Sequence, residues 1–187
     1  REPALAKGRV VVAQFGCGAG LCGLEGGISR DTLMSFSALD GTPMTTRCGA
    51  LDPGVLLHLL AQGGYDARRL EDQLYRRSGL LAVSGNSADS RELLDSDKPE
   101  AREALDLFCT SSVSQSRARP HGWPLHWGAR RDRFIAGIGE HQPSIRAAVA
   151  ERLAWLGLEL DEAANATNAA RISRDGAHVA AFVAPTD

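Results

Sequence analysis

Hydrophobic residues fall first into short runs and later into helical stripes. Residues 9–15 carry Val10-Val11-Val12 and end at Gly16, a pattern that predicts a buried strand running into a glycine-rich turn. Residues 21–24 and 28–34, separated by Glu25-Gly26-Gly27, predict two shorter strands, so the chain should open as a β-meander. Pro53 is a favourable first residue for a helix over residues 54–62, and Gly63-Gly64 should stop it. Leu70 and Leu74 lie one turn apart and predict a second helix over residues 66–77; Ala101, Ala104, Leu105 and Phe108 predict a third over 99–108. A fourth is expected over 144–156, capped by Ser144 and closed by Gly157, and a last strand over 179–183. Strands followed by helices alternating with strands imply an α/β fold, a mixed sheet flanked by helices.

Bulk properties narrow the function classes. A length of 187 residues, 43% of them hydrophobic, suits one domain or one and a fraction with an ordinary core. A net charge of -2 provides no broad positive field, which argues against nucleic acid and anionic membranes as partners. No apolar run approaches the roughly 20 residues that span a bilayer, and Arg1-Glu2-Pro3 does not resemble a secretion signal, so a cytoplasmic location is expected. Cys17, Cys22, Cys48 and Cys109 form no CxxC pair and no zinc spacing; reduced thiols and no metal site are expected.

Two glycine turns and two arginines are the candidate chemistry. Gln14-Phe15-Gly16-Cys17-Gly18 offers backbone N–H groups that could cradle phosphate oxygens, although a glycine-rich hairpin turn explains the same residues. Gly137-Ile138-Gly139-Glu140-His141 stands between a strand candidate and a helix, the context of a nucleotide loop, without a Walker lysine or a full GxGxxG. Arg47 could offset charge on a phosphoryl group in transfer, or could be a surface arginine paired with Asp40 or Asp52. Asp89, followed by Ser90 and Arg91, reads equally as a helix cap.

Together these segments resemble the acetate kinase family and the related propionate and butyrate kinases. Phe36-Ser37-Ala38-Leu39-Asp40-Gly41-Thr42-Pro43-Met44, continuing through Thr45-Thr46-Arg47-Cys48-Gly49-Ala50-Leu51-Asp52-Pro53-Gly54, is similar to the signature around the family's catalytic arginine. Residues 76–85, 136–141 and 153–161 continue the resemblance in order. It implies a ribonuclease-H-like domain of the sugar kinase, Hsp70 and actin superfamily, here the carboxy-terminal one, truncated at both ends. It further implies reversible phosphoryl transfer between ATP and acetate, yielding acetyl phosphate and ADP, with propionate or butyrate as alternative acceptors and Mg2+ as cofactor. By the same resemblance Arg47 stabilises the transition state, and Gln14, Phe15, Gly16, Cys17 and Gly18 form the first phosphate loop. Asp89, Ser90 and Arg91 contact the adenosine, and Gly137, Ile138, Gly139, Glu140 and His141 form the second nucleotide loop. A homodimer is implied for the full-length protein.

Several departures predict an inactive chain. Gln14 and Cys17 stand where the family has histidine and asparagine, and a thiol is the weaker donor. Thr45 replaces a glycine, which predicts crowding of the backbone before Arg47, and Ser90 replaces a larger apolar residue, which predicts looser packing. The family's glutamate for magnesium lies beyond Asp187. Residues 109–133 contain five arginines and two of the three tryptophans where the family has an alanine-rich helix and a hydrophobic strand. Arg117, Arg119, Trp123, Trp127 and Arg130 could be read as a nucleic-acid patch. The preferred reading is a shifted reading frame, because back-translation in another frame yields alanine-rich helical text; it predicts coil in this block and a marginal fold. The alternative to an enzyme domain is a non-catalytic fragment or pseudogene product that keeps a nucleotide-binding or dimerising surface.

Overall fold

The computed structural model describes residues 8–117 and 131–186. It divides into two compact units: unit 1 is Arg1–Leu33 with Cys109–Asp187, and unit 2 is Met34–Phe108.

Unit 1 is built on a five-stranded sheet in the order β3-β2-β1-β4-β5, with β1 at Arg9–Phe15, β2 at Ala19–Glu25, β3 at Ile28–Thr32, β4 at Arg131–Ile135 and β5 at Ala180–Val183. The first three pair antiparallel, as the meander pattern predicts, because their connections are short turns. β4 pairs parallel with β1, and β5 parallel with β4, so all three run out at the same edge. Side chains alternate across the sheet with period two. Val11, Ala13 and Phe15 therefore share a face with Leu21 across one ladder and with Phe134 across the other. All five are buried. Each large apolar side chain of this kind contributes up to about 1.5–3 kcal/mol.

Unit 2 carries helices α1 at Pro53–Ala61, α2 at Ala67–Arg76, α3 at Gly79–Ser84 and α4 at Ser90–Leu94. A fifth, α5, runs over Pro99–Arg117 and passes from unit 2 into unit 1. Asp52 caps α1 by accepting from the Gly54 N–H at 2.7 Å, and Asp66 caps α2 by accepting from Arg69 N–H at 2.7 Å. α1 buries none of its residues, and Leu57 is 68% exposed, so its apolar composition does not mark a core helix.

Unit 1 continues after β4 with α6 at Ala136–His141, α7 at Pro143–Arg152, a 3-10 turn at Ala154–Leu156 and α8 at Glu162–Ala166. Four expectations change here. The predicted helix over 144–156 is two pieces, its first helical residue is Pro143 with Gln142 as cap, and Ser144 makes no cap. Gly157 closes the 3-10 turn with φ of 84°, as a left-handed stop should. The third helix does not stop at Phe108: Cys109, Ser112 and Val113 continue its buried stripe, so residues 109–117 are helix rather than coil. Residues 131–135 are strand, because Asp132 and Phe134 alternate inward while Arg131, Arg133 and Ile135 are half-exposed. The remainder of the arginine- and tryptophan-rich block, with Arg119, Trp123, Trp127 and Arg130, lies outside the described residues. Among the described residues no helix is long and apolar enough to cross a membrane.

Candidate functional site

The first glycine turn sits at the carboxyl end of β1. Gln14 still belongs to the strand, pairing with Gly20 on one side and Ile135 on the other, and its side chain is exposed. The Phe15 side chain is not available to a ligand: it is fully buried, with its ring 6.1 Å from that of Phe134. Gly16 turns the chain and its N–H donates to Gly18 O at 2.9 Å, which removes one of the donors expected to face a phosphate. Cys17 is exposed at the tip.

Because β1 and β4 are parallel and in register, the segment after β4 arrives beside that turn. A Cβ on Gly16 would lie 3.4 Å from the Ala136 Cβ. The two glycine segments, more than a hundred residues apart in sequence, thus meet where β1 and β4 end. Open α/β sheets bind ligands outside the carboxyl ends of parallel strands.

The second segment is not the open turn that the sequence predicts; residues 136–141 are the helix α6. Ile138 and Gly139 are buried, which leaves Gly137 and His141 exposed and Glu140 half-buried. The helix is entered sharply. Ala136 has φ of 65°, a left-handed conformation that costs an L-residue about 1–2 kcal/mol. Its N–H donates to Thr186 Oγ1 at 3.0 Å. The Thr186 hydroxyl in turn donates to Glu140 Oε1, and its backbone N–H donates to the same oxygen at 2.9 Å. The Thr186 hydroxyl holds the Glu140 carboxyl below its ordinary range, against the opposing effect of burial.

Sequence reasoning missed Arg146. Its side chain is completely buried in α7, and burial pushes its pKa down. Nε donates to Asn165 Oδ1 at 2.8 Å, Nη1 to the carbonyls of Gly139 and Glu140 at 2.9 Å each, and Nη2 to Asn165 O at 2.7 Å and Asn168 Oδ1 at 2.6 Å. An arginine inside an amphipathic helix usually reads as solvated, and only its position three residues after Pro143, on the side shared with Gln142 and Val149, could have flagged it.

Unit 2 holds Arg47 in a loop laced to a second stretch. Met44 N–H donates to Arg47 O at 3.0 Å, Cys48 N–H to Leu74 O at 3.1 Å, Ser78 N–H to Thr46 O at 2.9 Å and Leu80 N–H to Met44 O at 2.9 Å. Gly79 makes this approach feasible: its φ is 62°, and a Cβ there would stand 2.0 Å from Met44 O and 2.8 Å from Arg47 O. Thr45 has no positive φ, so the expected glycine-only conformation is absent and a threonine fits. The Arg47 guanidinium points Nη1 at Met44 Sδ, 3.6 Å away. It does not pair with Asp40, which accepts from Ser35 and Gly41, or with Asp52, which caps α1. Arg47 lines an open cavity of about 580 Å³ with Thr46, Arg68, Glu71, Asp72, Tyr75 and Arg76.

Asp89 is the cap of α4, accepting from Arg91 N–H at 2.9 Å. Arg91 also donates to it from Nε at 3.0 Å and Nη2 at 2.6 Å. This side-chain hydrogen bond is the main cause that lowers the Asp89 pKa to about 2. Ser90 is buried, 4% exposed. Gln14 to Gly18 and Gly137 to His141 therefore belong to unit 1, and Arg47 with Asp89 to Arg91 to unit 2. Among the described residues no three His, Cys, Asp or Glu side chains gather as metal ligands.

Comparison with known proteins matches nearly the whole chain. An acetate kinase from Rhodopseudomonas palustris is 48% identical over 98% of this chain and 46% of its own length; one from Nitrobacter hamburgensis is 43% identical over 99% and 45%. The chain spans about half the length of the curated relatives it matches. A propionate kinase structure from Francisella tularensis superposes with a TM-score of 0.87 at 27% identity, over 97% of this chain and 47% of that one. The Porphyromonas gingivalis acetate kinase structure does so with 0.86 at 28%, over 97% and 46%. These neighbours belong to the actin, Hsp70 and sugar kinase superfamily, whose mixed α/β architecture this chain shares. The family model described as the acetokinase family matches residues 2–187, and the chain belongs to that family.

Proposed function

We propose that the chain is the nucleotide-binding half of a cytoplasmic, ATP-dependent carboxylate kinase that acts on acetate, with propionate and butyrate as alternative acceptors. In the reaction a carboxylate oxygen attacks the γ-phosphorus, the bond to the bridging oxygen of ADP breaks, and an acyl phosphate forms; the reverse regenerates ATP. The single observation that carries the reading is Arg47. The family signature surrounds it, Gly79 admits the tight loop that fixes its backbone, and its guanidinium faces an open cavity without a carboxylate partner. A guanidinium left unneutralised can offset charge that develops on the equatorial oxygens of the moving phosphoryl group. Gln14, Gly16, Cys17, Gly18, Gly137, Glu140 and His141 are the proposed nucleotide contacts of unit 1, and Asp89, Ser90 and Arg91 those of unit 2; Phe15 and Ile138 support them from the core. Mg2+ is the proposed cofactor, and the full-length protein is proposed to be a homodimer.

A second reading, nucleotide binding without turnover, is favoured by the first turn. Its Gly16 N–H is spent on Gly18 O, and Cys17 offers only a weak donor. ATP-dependent hydroxamate formation from acetate separates the two. Turnover by this chain that falls about a thousandfold or more in Arg47→Ala supports the kinase reading. Absent turnover by the full-length protein, with measurable ATP affinity, supports the second. An ATP affinity unchanged by Arg91→Ala counts against the adenosine assignment in both.

A further inference from the structure

The five N–H donors of Arg146 are all used, and none of their acceptors is a carboxylate. Burying a guanidinium without a counter-charge is costly, and a core needing only volume would be served by an apolar side chain. The acceptors instead come from two separate places: the last turn of α6, through Gly139 O and Glu140 O, and the end of α8 with the turn after it, through Asn165 within the helix and Asn168 beyond it. That helix end is itself fixed, since Asn165 Nδ2 donates to Pro143 O at 2.9 Å and Asn168, just beyond it, adopts a left-handed φ of 53°. At its other end α6 starts from the strained Ala136, whose N–H is taken by Thr186. A helix of one and a half turns has little stability of its own. The two clamps therefore add to the burial of Ile138 and Gly139 in setting its position.

We infer that Arg146 is a positioning residue for the nucleotide segment: it holds the carbonyl end of α6 against the carboxyl end of α8 and the turn after it, so that Gly137, Glu140 and His141 stand at the edge where β1 and β4 end. The inference rests on the proposed nucleotide reading of that segment. Arg146 touches no ligand and acts through the backbone of α6. A lysine there can reach the carbonyls but cannot also bind both asparagines, because one ammonium replaces a planar five-donor fork.

The test is amide hydrogen exchange together with calorimetric titration of MgATP, both on this chain. Arg146→Met is expected to speed exchange of the amides of residues 139–142 while β1 and β4 keep their protection. ATP binding should weaken about tenfold, the scale of one charge-assisted hydrogen bond. Arg146→Lys should recover part of both effects. Asn168→Gly, which keeps the left-handed backbone and removes one acceptor, should give the same pattern at about two- to threefold, and it decides the matter if Arg146→Met does not fold. Uniform loss of protection across sheet and α6 would show a purely structural arginine and overturn the inference. So would loosening of α6 with ATP affinity unchanged, which leaves nucleotide binding itself standing. No ATP binding by the unsubstituted chain overturns the nucleotide reading, and this inference with it.

Discussion

The two units hold their candidate residues by different means. In unit 1 the strand ladders do most of the positioning: β1 and β4 deliver two distant glycine segments to one edge, and Phe15 and Phe134 anchor them from below. An exposed polar clamp at Thr186 and a buried one at Arg146 set the remainder. In unit 2 the candidates lie on loops and caps. Arg47 depends on backbone hydrogen bonds between residues 44–48 and 74–80, and Asp89 with Arg91 forms an exposed local pair at the start of a five-residue helix. A site residue on a ladder is tied to the global stability of the sheet, whereas one on a cap can open alone.

The largest expected effect lies in the sheet. Phe134→Ala should cost about 3–5 kcal/mol in urea unfolding, because a fully buried ring leaves a cavity facing Phe15. A loss below 1 kcal/mol would mean that the ladder does not anchor the site. Next comes Gly79→Ala in unit 2, where the new Cβ meets Met44 O and the positive φ adds strain. A cost of about 2–3 kcal/mol is expected, with amide protection falling first around residues 44–48 and 78–81. Retained protection there would break the proposed dependence of the Arg47 loop on that glycine. Ala136→Gly should act in the opposite direction and stabilise unit 1 by about 1 kcal/mol, read as a raised urea midpoint with an unchanged slope. The smallest effect belongs to the cap. The folded-state pKa of Asp89 is depressed to about 2, so its contribution is fully present above the ordinary carboxylate pKa and is lost as pH falls toward 2. The group is exposed and solvent-screened, and the expected readout is local: faster exchange in α4 across that window, with the sheet unaffected. Asp89→Asn should abolish the pH step.

The meander, α1, α2 and the last strand were legible because hydrophobic runs, a proline at a first helical position and paired glycines are local signals. Residues 109–117 and 131–133 were misjudged for a physical reason. Their buried positions hold small or polar side chains, Ser112 and Asp132 among them, so a count of aliphatic residues finds no stripe although the face is continuous. Ser144 was a plausible cap by type, yet Pro143 preceded it and took the first helical position. The residues 136–140 looked like a turn because two glycines and an alanine carry little side-chain information. The register of β4 and the Thr186 and Arg146 contacts wind them into a helix.

By itself the sequence determined the family, the catalytic candidate Arg47 and the cap at Asp89, because those rest on residue identity and on contacts within a few positions. Only the tertiary structure decided that Phe15 and Ile138 face the core, that Arg47 pairs with neither Asp40 nor Asp52, and that Arg146 grips α6. Each of these depends on parallel pairing or on hydrogen bonds between residues far apart in the chain, and no local pattern records which distant partner a side chain will meet.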